Sequence, residues 1–208
     1  MLTLYYAPST CALASHIALE QVGADYDVAR VDFSRHEQRS PDYLRVNPKG
    51  RVPALVTSRG ILTETPAILL FICQSFSSAG LAPLDDPFAF AQMNAFNSYL
   101  CATVHVAHAH RMRGHRWADD AAAIAAMQKK VPQSVGECFD LIEREFFQGP
   151  WVMGERYTVS DIYLFTLAQW LEADGVDPER FPKVADHRRR MSRDPVVSKI
   201  VALERASA

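Results

Sequence analysis

The stretch Leu-Thr-Leu-Tyr-Tyr-Ala-Pro-Ser-Thr-Cys, residues 2–11, runs directly into the helix-favouring segment Ala12 to Val22. It predicts a short apolar strand that ends at a Pro-Ser-Thr turn, followed by a helix with Cys11 in its first turn. Backbone N–H groups at a helix N-terminus favour an anion, and cysteine pKa values there fall from about 8.5 to roughly 3.5–7.5. We therefore expect a reactive Cys11, with a small, buried and inert residue as the alternative.

The cysteines are spaced too widely for a paired motif. Ala14 occupies the position of the second cysteine in a Cys-x-x-Cys motif, so a reactive Cys11 needs an external thiol as its partner. Cys73, Cys101 and Cys138 are predicted to lie inside helices as core residues. This scatter argues against a disulfide framework or a zinc knuckle and is typical of a reducing compartment.

Composition and charge exclude several classes of protein. The chain has 208 residues and a formal net charge of −2, which gives no sign of a nucleic-acid partner. Residues 1–19 lack the basic start of a signal peptide, and Pro8 interrupts the apolar block. The longest apolar run, Ala67 to Cys73, is too short to span a membrane. We expect a cytoplasmic protein that binds neither nucleic acid nor membrane.

Secondary-structure patterns differ between the two parts of the chain. The N-terminal part alternates strands and helices, and the apolar segments 52–56 and 61–63 flank a Ser-Arg-Gly turn, which indicates a β-hairpin. After a stretch of small residues, strand patterns nearly vanish and helical ones dominate. The sequence thus predicts an α/β domain over 1–77, a linker over 78–84 and an all-helical domain over 85–208.

Three motifs lie in order along this plan. They are Asn47-Pro48-Lys49-Gly50-Arg51-Val52-Pro53, then Glu64-Thr65 before a helix that begins with Pro66, and Thr158-Val159-Ser160-Asp161, which has the pattern of a capping box. In this order and spacing, over essentially the whole chain, they resemble the cytosolic glutathione transferases. The resemblance implies a thioredoxin-like α/β domain that binds glutathione, followed by an all-α domain.

The resemblance also implies which residues of the first domain contact glutathione: Arg35, His36, Val52, Pro53, Glu64 and Thr65. Val52 would pair its backbone with the ligand by strand addition, and the peptide bond before Pro53 would be cis. Glu64 and Thr65 would hold the γ-glutamyl group at a helix N-terminus. Arg35 or His36 would lie near the glycyl carboxylate.

Within the family, the Tyr5-Tyr6 pair, the Pro-x-x-Cys turn and His105 look most like the bacterial beta class. The resemblance implies that Cys11 contacts the glutathione sulfur and can form a mixed disulfide with it. It also implies that His105, and either Asn97 or Ser98, face the site.

Two hydroxyls compete with Cys11 for the role of activating glutathione. Other classes of the family use a tyrosine or a serine for this purpose, which makes Tyr5 and Ser9 supporting candidates. Their alternative roles are a strand residue packed on the core and a helix cap.

A histidine-rich helix raises the question of a metal site. His105 and His108 are three residues apart and share a helix face, but no Asp, Glu or Cys joins them at ligand spacing. We therefore expect no metal, and a partly buried helix residue is the alternative role for His105. Four aromatic residues are candidates to line an apolar substrate pocket, although we expect most of them to be core residues: Phe96, Tyr99, Tyr163 and Trp170.

The function that follows from the resemblance is conjugation of the glutathione thiolate to hydrophobic electrophiles, in detoxification, by a homodimer. Glutathione is the expected cosubstrate. The enzymatic alternative is thiol-disulfide exchange or peroxide reduction through a Cys11 mixed disulfide. The alternative of another class is a regulatory binding protein that keeps the fold without the chemistry.

Overall fold

A four-stranded mixed sheet organises the N-terminal part of the computed structural model, which describes residues 1–207. The strands are β1 (Leu2–Tyr6), β2 (Tyr26–Arg30), β3 (Ala54–Thr57) and β4 (Gly60–Thr63), in the order β2-β1-β3-β4. β1 is parallel to β2 and antiparallel to β3, and β3 and β4 form the predicted hairpin. This small mixed sheet with its helices confirms the predicted thioredoxin-like domain.

One strand differs from the sequence pattern. The alternation of Ala29, Val31 and Phe33 with charged residues predicts a strand over residues 29–33, whereas β2 ends at Arg30. Its register pairs Leu2 with Tyr26 and Tyr6 with Arg30, so the strand is complete where β1 ends. Asp32 then turns the chain by accepting hydrogen bonds from the amide and hydroxyl of Ser34.

The helices follow the predicted order along the chain. They are α1 (Ala12–Gln21), α2 (Pro41–Val46), α3 (Thr65–Ser75), α4 (Pro87–Tyr99), α5 (His105–Arg113), α6 (Ala121–Leu141), α7 (Val159–Ala168), α8 (Pro182–Arg193) and α9 (Pro195–Ala206). A π-helical segment, Leu100–Val104, joins α4 to α5, so the two helices form one continuous helix that is widened at this point. Within residues 1–207, no helix is long and apolar enough to cross a membrane.

The chain divides into two compact units. The first combines Met1–Pro87 with the chain from Met191 onward, and the second is Phe88–Arg190. The predicted boundaries instead placed all of 85–208 in the helical domain. The difference arises because α9 packs against α1 and buries Val197 and Ile200.

A buried pair of polar side chains in hydrogen-bond contact joins α9 to α1 inside the first unit. Nδ1 of His16 lies 2.8 Å from Oε1 of Glu204, and both side chains are almost fully buried. Burial raises the pKa of the Glu204 carboxyl, while His16 lowers it. Among the described residues, Oε2 of Glu204 has no hydrogen-bond partner, so the pair is only partly compensated.

The second unit is centred on α7, all ten residues of which are buried. The predicted capping box is present: Oδ2 of Asp161 accepts a hydrogen bond from the Thr158 amide at 2.8 Å, and the Thr158 side chain caps the helix. Asp161 also accepts from the amide of Val152 at 2.8 Å and lies 3.2 Å from Nε2 of His187. This one carboxylate therefore ties the start of α7 to the preceding loop and to α8.

Candidate functional site

Cys11 is the N-cap residue of α1, one position before the helix begins. It is 8% exposed, and its Sγ donates a hydrogen bond to the carbonyl oxygen of Val52 at 3.6 Å. The hydroxyl that caps the turn belongs to Thr10, which donates to the carbonyl of Ala7 at 2.7 Å and accepts from the amide of Ala12 at 3.3 Å. Ser9 instead adopts a left-handed conformation with φ 60°. The structure thus joins Cys11 to Val52 and gives Thr10 the capping role that we had considered for Ser9.

The contact between Cys11 and Val52 is chemically informative. A thiol donates to a carbonyl only while it carries its proton, so this contact competes with formation of the thiolate that the helix N-terminus favours. A peptide ligand that donates an N–H to the same carbonyl would also compete with the thiol. The predicted reactivity of Cys11 therefore stays a prediction. The geometry links this reactivity to whether a ligand is bound at the carbonyl of Val52.

Buried polar groups hold the carbonyl of Arg51, the residue before Val52, by hydrogen bonds. Nδ2 of Asn47 and the hydroxyl of Tyr43 both donate to the carbonyl of Arg51 at 2.6 Å, and Asn47 is only 1% exposed. Burial raises the pKa of Tyr43 to about 12, so its hydroxyl keeps the proton that it donates. The bond between Val52 and Pro53 is cis, which confirms the prediction.

The two adjacent tyrosines of β1 have different surroundings. Tyr6 is buried, and its ring centroid lies 5.3 Å from that of His16. The ring of Tyr5 is instead 5.7 Å from that of Tyr43. Because side chains alternate along a strand, Tyr5 lies on the opposite face of β1 from Tyr6. It lies next to Tyr43, whose hydroxyl donates to the Arg51 carbonyl. It stays a candidate hydroxyl donor.

Glu64 has the most unusual backbone conformation among the candidate residues. It is the N-cap of α3 with φ 73° and ψ 119°, and its carbonyl accepts from the amide of Ile68 at 3.0 Å. Non-glycine residues with positive φ are costly and cluster at functional sites. Thr65, the first residue of α3, is 4% exposed. The predicted pair of Glu64 and Thr65 therefore lies at a helix start with a constrained backbone.

Lys49, to which the sequence pattern assigned no role, contacts the candidate residue Glu64. Its Nζ lies 2.5 Å from Oε1 of Glu64 and donates to Oγ1 of Thr63 at 2.7 Å. Lys49 belongs to the quoted motif, but its partner is fifteen positions away. The only sequence signal for the pair was the hairpin that brings these segments together.

Arg35 and His36 lie on an exposed loop after β2. His36 has φ 57°, and the amide of Arg35 lies 3.3 Å from Oδ1 of Asp32. The turn that follows them, Glu37–Arg39, lies against Gly50, because a Cβ at Gly50 would meet the carbonyl of Gln38 at 2.9 Å. The turn that follows Arg35 and His36 therefore packs against the 47–51 segment.

In the second unit, the structure separates Asn97 from Ser98. Asn97 is completely buried, and its Oδ1 accepts from the hydroxyl of Ser160 at 2.9 Å. Ser98 is exposed. Of the two predicted alternatives, Ser98 is thus the one whose side chain is accessible.

His105 belongs to an aromatic cluster that also contains His108 and Trp170. The ring of His105 lies edge-on to Trp170 at 5.1 Å between centroids, and the ring of His108 stacks on Trp170 at 4.1 Å. Nδ1 of His108 is 2.7 Å from the carboxylate of Asp174, which is 3% exposed. The sequence gave no indication of this pair, because 66 positions separate its members.

Three of the four candidate pocket aromatics, Phe96, Tyr163 and Trp170, are buried, which agrees with the expectation that most of them are core residues. Tyr163 is completely buried and Phe96 is 3% exposed, whereas the hydroxyl of Tyr99 donates to the backbone of Cys138 at 3.3 Å. Trp170 remains the aromatic candidate next to His105. Over residues 1–207, no group of three or more His, Cys, Asp or Glu side chains is arranged to hold a metal ion.

The other cysteines differ in accessibility. Cys73 and Cys138 are buried, as predicted, and burial raises the pKa of both thiols, that of Cys73 to about 12. Cys101, which we also predicted to be a core residue, is instead partly exposed within the π-helical segment.

Comparison with known proteins gives consistent matches along the chain. Residues 1–74 match the family model for the glutathione S-transferase N-terminal domain, and residues 121–190 match the C-terminal domain. The chain is 30% identical over 204 residues to "Glutathione S-transferase GstA" of Escherichia coli O157:H7, covering 97% of this chain and 98% of that protein.

Solved structures agree with these matches. A glutathione transferase homologue from Sulfitobacter with bound glutathione is 43% identical, with a TM-score of 0.94 and 98% of each chain covered. A bacterial beta class glutathione S-transferase from Sphingomonas chungbukensis is 30% identical, with a TM-score of 0.84, and the match covers 97% of this chain and 98% of that one.

Proposed function

Because this chain belongs to the glutathione S-transferase family, we propose that its first unit binds glutathione beside Cys11 and that the enzyme transfers the glutathione thiolate to hydrophobic electrophiles. The observation that carries this proposal is the 3.6 Å contact between Sγ of Cys11 and the carbonyl of Val52. It places a thiol next to a backbone segment that can bind an extended peptide by strand addition.

Each part of the tripeptide has a candidate partner. The amide and carbonyl of Val52 bind the backbone of the cysteinyl residue, which directs its sulfur towards Cys11. The carboxylate of Glu64 binds the γ-glutamyl ammonium, with Thr65 at the start of α3 beside the α-carboxylate. Arg35 or His36 binds the glycyl carboxylate. In the second unit, Ser98 and His105 are candidate substrate contacts, and Trp170 supplies an apolar surface next to His105.

The reaction is a nucleophilic attack by sulfur. The glutathione thiol loses its proton to solvent, and the thiol of Cys11 donates a hydrogen bond to the resulting thiolate. The thiolate then forms a carbon–sulfur bond with the electrophile, and a leaving group departs with the displaced electron pair. The relatives named above are transferases, which favours this conjugation over thiol-disulfide exchange and over a non-catalytic binding role.

Three further properties belong to the proposal. We expect a homodimer, a role in detoxification and a cytoplasmic location, where reduced glutathione and free thiols persist. The family supports each of them.

Binding and chemistry can be tested together. Glutathione at a hundred times its dissociation constant should stabilise the fold by about 2.7 kcal/mol, which raises the melting temperature. Cysteinylglycine, which lacks the γ-glutamyl group, is the matched control ligand and should give a much smaller shift. A panel of aryl halides, epoxides, disulfides and peroxides then identifies the reaction by product mass. An unchanged melting temperature with glutathione contradicts the proposal.

A further inference from the structure

An ion pair already occupies the place that we assign to the γ-glutamyl end of glutathione. Nζ of Lys49 contacts Oε1 of Glu64 at 2.5 Å and Oγ1 of Thr63 at 2.7 Å. The side chains are 42% and 53% exposed, so solvent and ligands can reach both charges. A ligand ammonium that binds Glu64 must therefore share this carboxylate with Lys49 or displace it.

The backbones on both sides of the pair are constrained. On one side, the Lys49 amide donates to Oδ1 of buried Asn47 at 3.2 Å, and the Gly50 amide donates to the carbonyl of Asn47 at 2.9 Å. On the other side, β4 pairs Thr63 with Ala54, which fixes where Glu64 starts α3. The two charges thus have a set separation at their backbones, while their side chains keep the freedom to exchange partners.

The pair itself is inexpensive to open. Exposed ion pairs contribute little to stability, because each charge is nearly as well solvated by water. An α-amino acid headgroup has an ammonium and a carboxylate on the same carbon. It can therefore form two ion pairs in place of the single one between Lys49 and Glu64. The ammonium then binds Glu64, and the displaced Lys49 ammonium binds the carboxylate.

We propose that Lys49 and Glu64 act together as a receptor for a zwitterion, in which Lys49 binds the α-carboxylate of the γ-glutamyl residue. This inference rests on the proposed glutathione binding and adds a specificity-determining residue to it. Lys49 selects ligands that have both charges, and a ligand without the carboxylate leaves the lysine competing for Glu64.

The test compares variants against ligands that lack one charge. Titration calorimetry measures binding of glutathione, of 4-aminobutyryl-cysteinylglycine, which lacks the α-carboxylate, and of glutaryl-cysteinylglycine, which lacks the α-ammonium. Lys49→Met should weaken glutathione and the glutaryl analogue about ten-fold each, equivalent to about 1.4 kcal/mol. It should leave binding of the aminobutyryl analogue unchanged or slightly tighter. Lys49→Arg should keep most of the affinity for glutathione.

Controls separate this role from a structural one. Arg59→Met removes an exposed cation from the β3–β4 turn of the same unit and should change none of the three affinities. Melting temperatures without ligand check that each variant folds, and Lys49→Gln is the second variant. Equal or tighter glutathione binding by Lys49→Met overturns the inference, as does equal weakening of all three ligands. Failure of the wild-type protein to bind glutathione overturns both the inference and the proposed function.

Discussion

A turn of four residues, Asn47 to Gly50, determines the geometry of the candidate site at the scale of single residues. Asn47 uses its side chain twice, to hold the Lys49 amide and the Arg51 carbonyl. Gly50 has φ 61° and no room for a side chain. Small changes in this turn therefore move both the backbone that precedes Val52 and the cation that contacts Glu64.

The reactivity of Cys11 is the first prediction at this scale. We expect iodoacetamide at pH 7 to modify Cys11 faster than Cys73 and Cys138, because burial raises the pKa of those two thiols. Cys101, which is partly exposed, is the matched comparison. Peptide mass spectrometry measures each rate.

Oxidised glutathione gives the complementary readout for Cys11. We expect one glutathione adduct per chain by intact mass, and Cys11→Ala should abolish it while lowering conjugation only modestly. A rate for Cys11 no higher than that of Cys101, with no adduct, would leave Tyr5 or Ser9 as the hydroxyl that activates glutathione.

Gly50→Ala is the second prediction. Gly23→Ala is its control, since both positions have positive φ, but a Cβ at Gly23 meets no atom within 4 Å. The control should cost about 1–2 kcal/mol from the left-handed backbone alone. Gly50→Ala should cost at least about 1 kcal/mol more, because its Cβ would lie 2.9 Å from the Gln38 carbonyl, and it should also weaken glutathione binding. Urea unfolding and calorimetry measure the two effects, and equal costs at both positions would contradict the prediction.

Sequence reasoning located the residues with local patterns and missed those that depend on distant partners. Cys11, Val52 and Glu64 each belong to a short motif with its own turn or helix start. The contact between Lys49 and Glu64 depends on the register of β3 and β4. The pair of His108 and Asp174 depends on how α5 lies against the chain after α7. Packing decides such contacts, and a single sequence contains no direct record of packing.

At the scale of elements, α9 shows how packing overrides the order of the chain. Its helical pattern was predicted, but its place in the first unit was not. The buried side chain of Glu204 and its partner His16 are 188 positions apart, and nothing near either residue indicates the other. Asp161 shows the opposite case, because the local motif of four residues that begins at Thr158 predicts its capping role.

The third prediction concerns the pH dependence of this element. Burial raises the pKa of Glu204 above its ordinary value of 4.5, so the folded state holds this proton more tightly than the unfolded state. Relative to Glu204→Gln, the wild-type carboxyl therefore contributes stability that is complete below pH 4.5. That contribution declines as the pH rises through the raised value.

Glu20 provides a control of opposite sign on the same pair of helices. Its hydrogen bonds with Lys199 and Tyr26 lower the pKa of its carboxyl. Its contribution relative to Glu20→Gln should therefore be present above pH 4.5 and fall as the carboxyl is protonated. Urea unfolding of the three proteins between pH 3 and 8 measures both trends, because the loss at Glu20 falls below pH 4.5 and the loss at Glu204 above it. Parallel curves for Glu204→Gln and the wild type would contradict the assignment.

At the scale of the whole molecule, we predict a homodimer. Several large apolar side chains of the second unit are strongly exposed, including Phe88 at 74%, Met112 at 70% and Trp117 at 47%. Burying apolar surface lowers the free energy by about 25 cal/mol per Å². Exposed apolar side chains of this kind therefore favour association between chains. Light scattering at micromolar concentration should give twice the 23.3 kDa mass of one chain. A mass equal to one chain would contradict the prediction.

The position of α9 also has a consequence for biosynthesis. During translation, the ribosome completes the second unit before it releases the helix that finishes the first. At about 5–20 residues per second, the intervening hundred or so residues take roughly 5–20 s. For that interval the surface of α1 that α9 will cover, including His16, lacks its partner. Chains truncated after Arg190 and released from the ribosome should therefore hold a folded second unit and a first unit that chaperones and proteases can still attack.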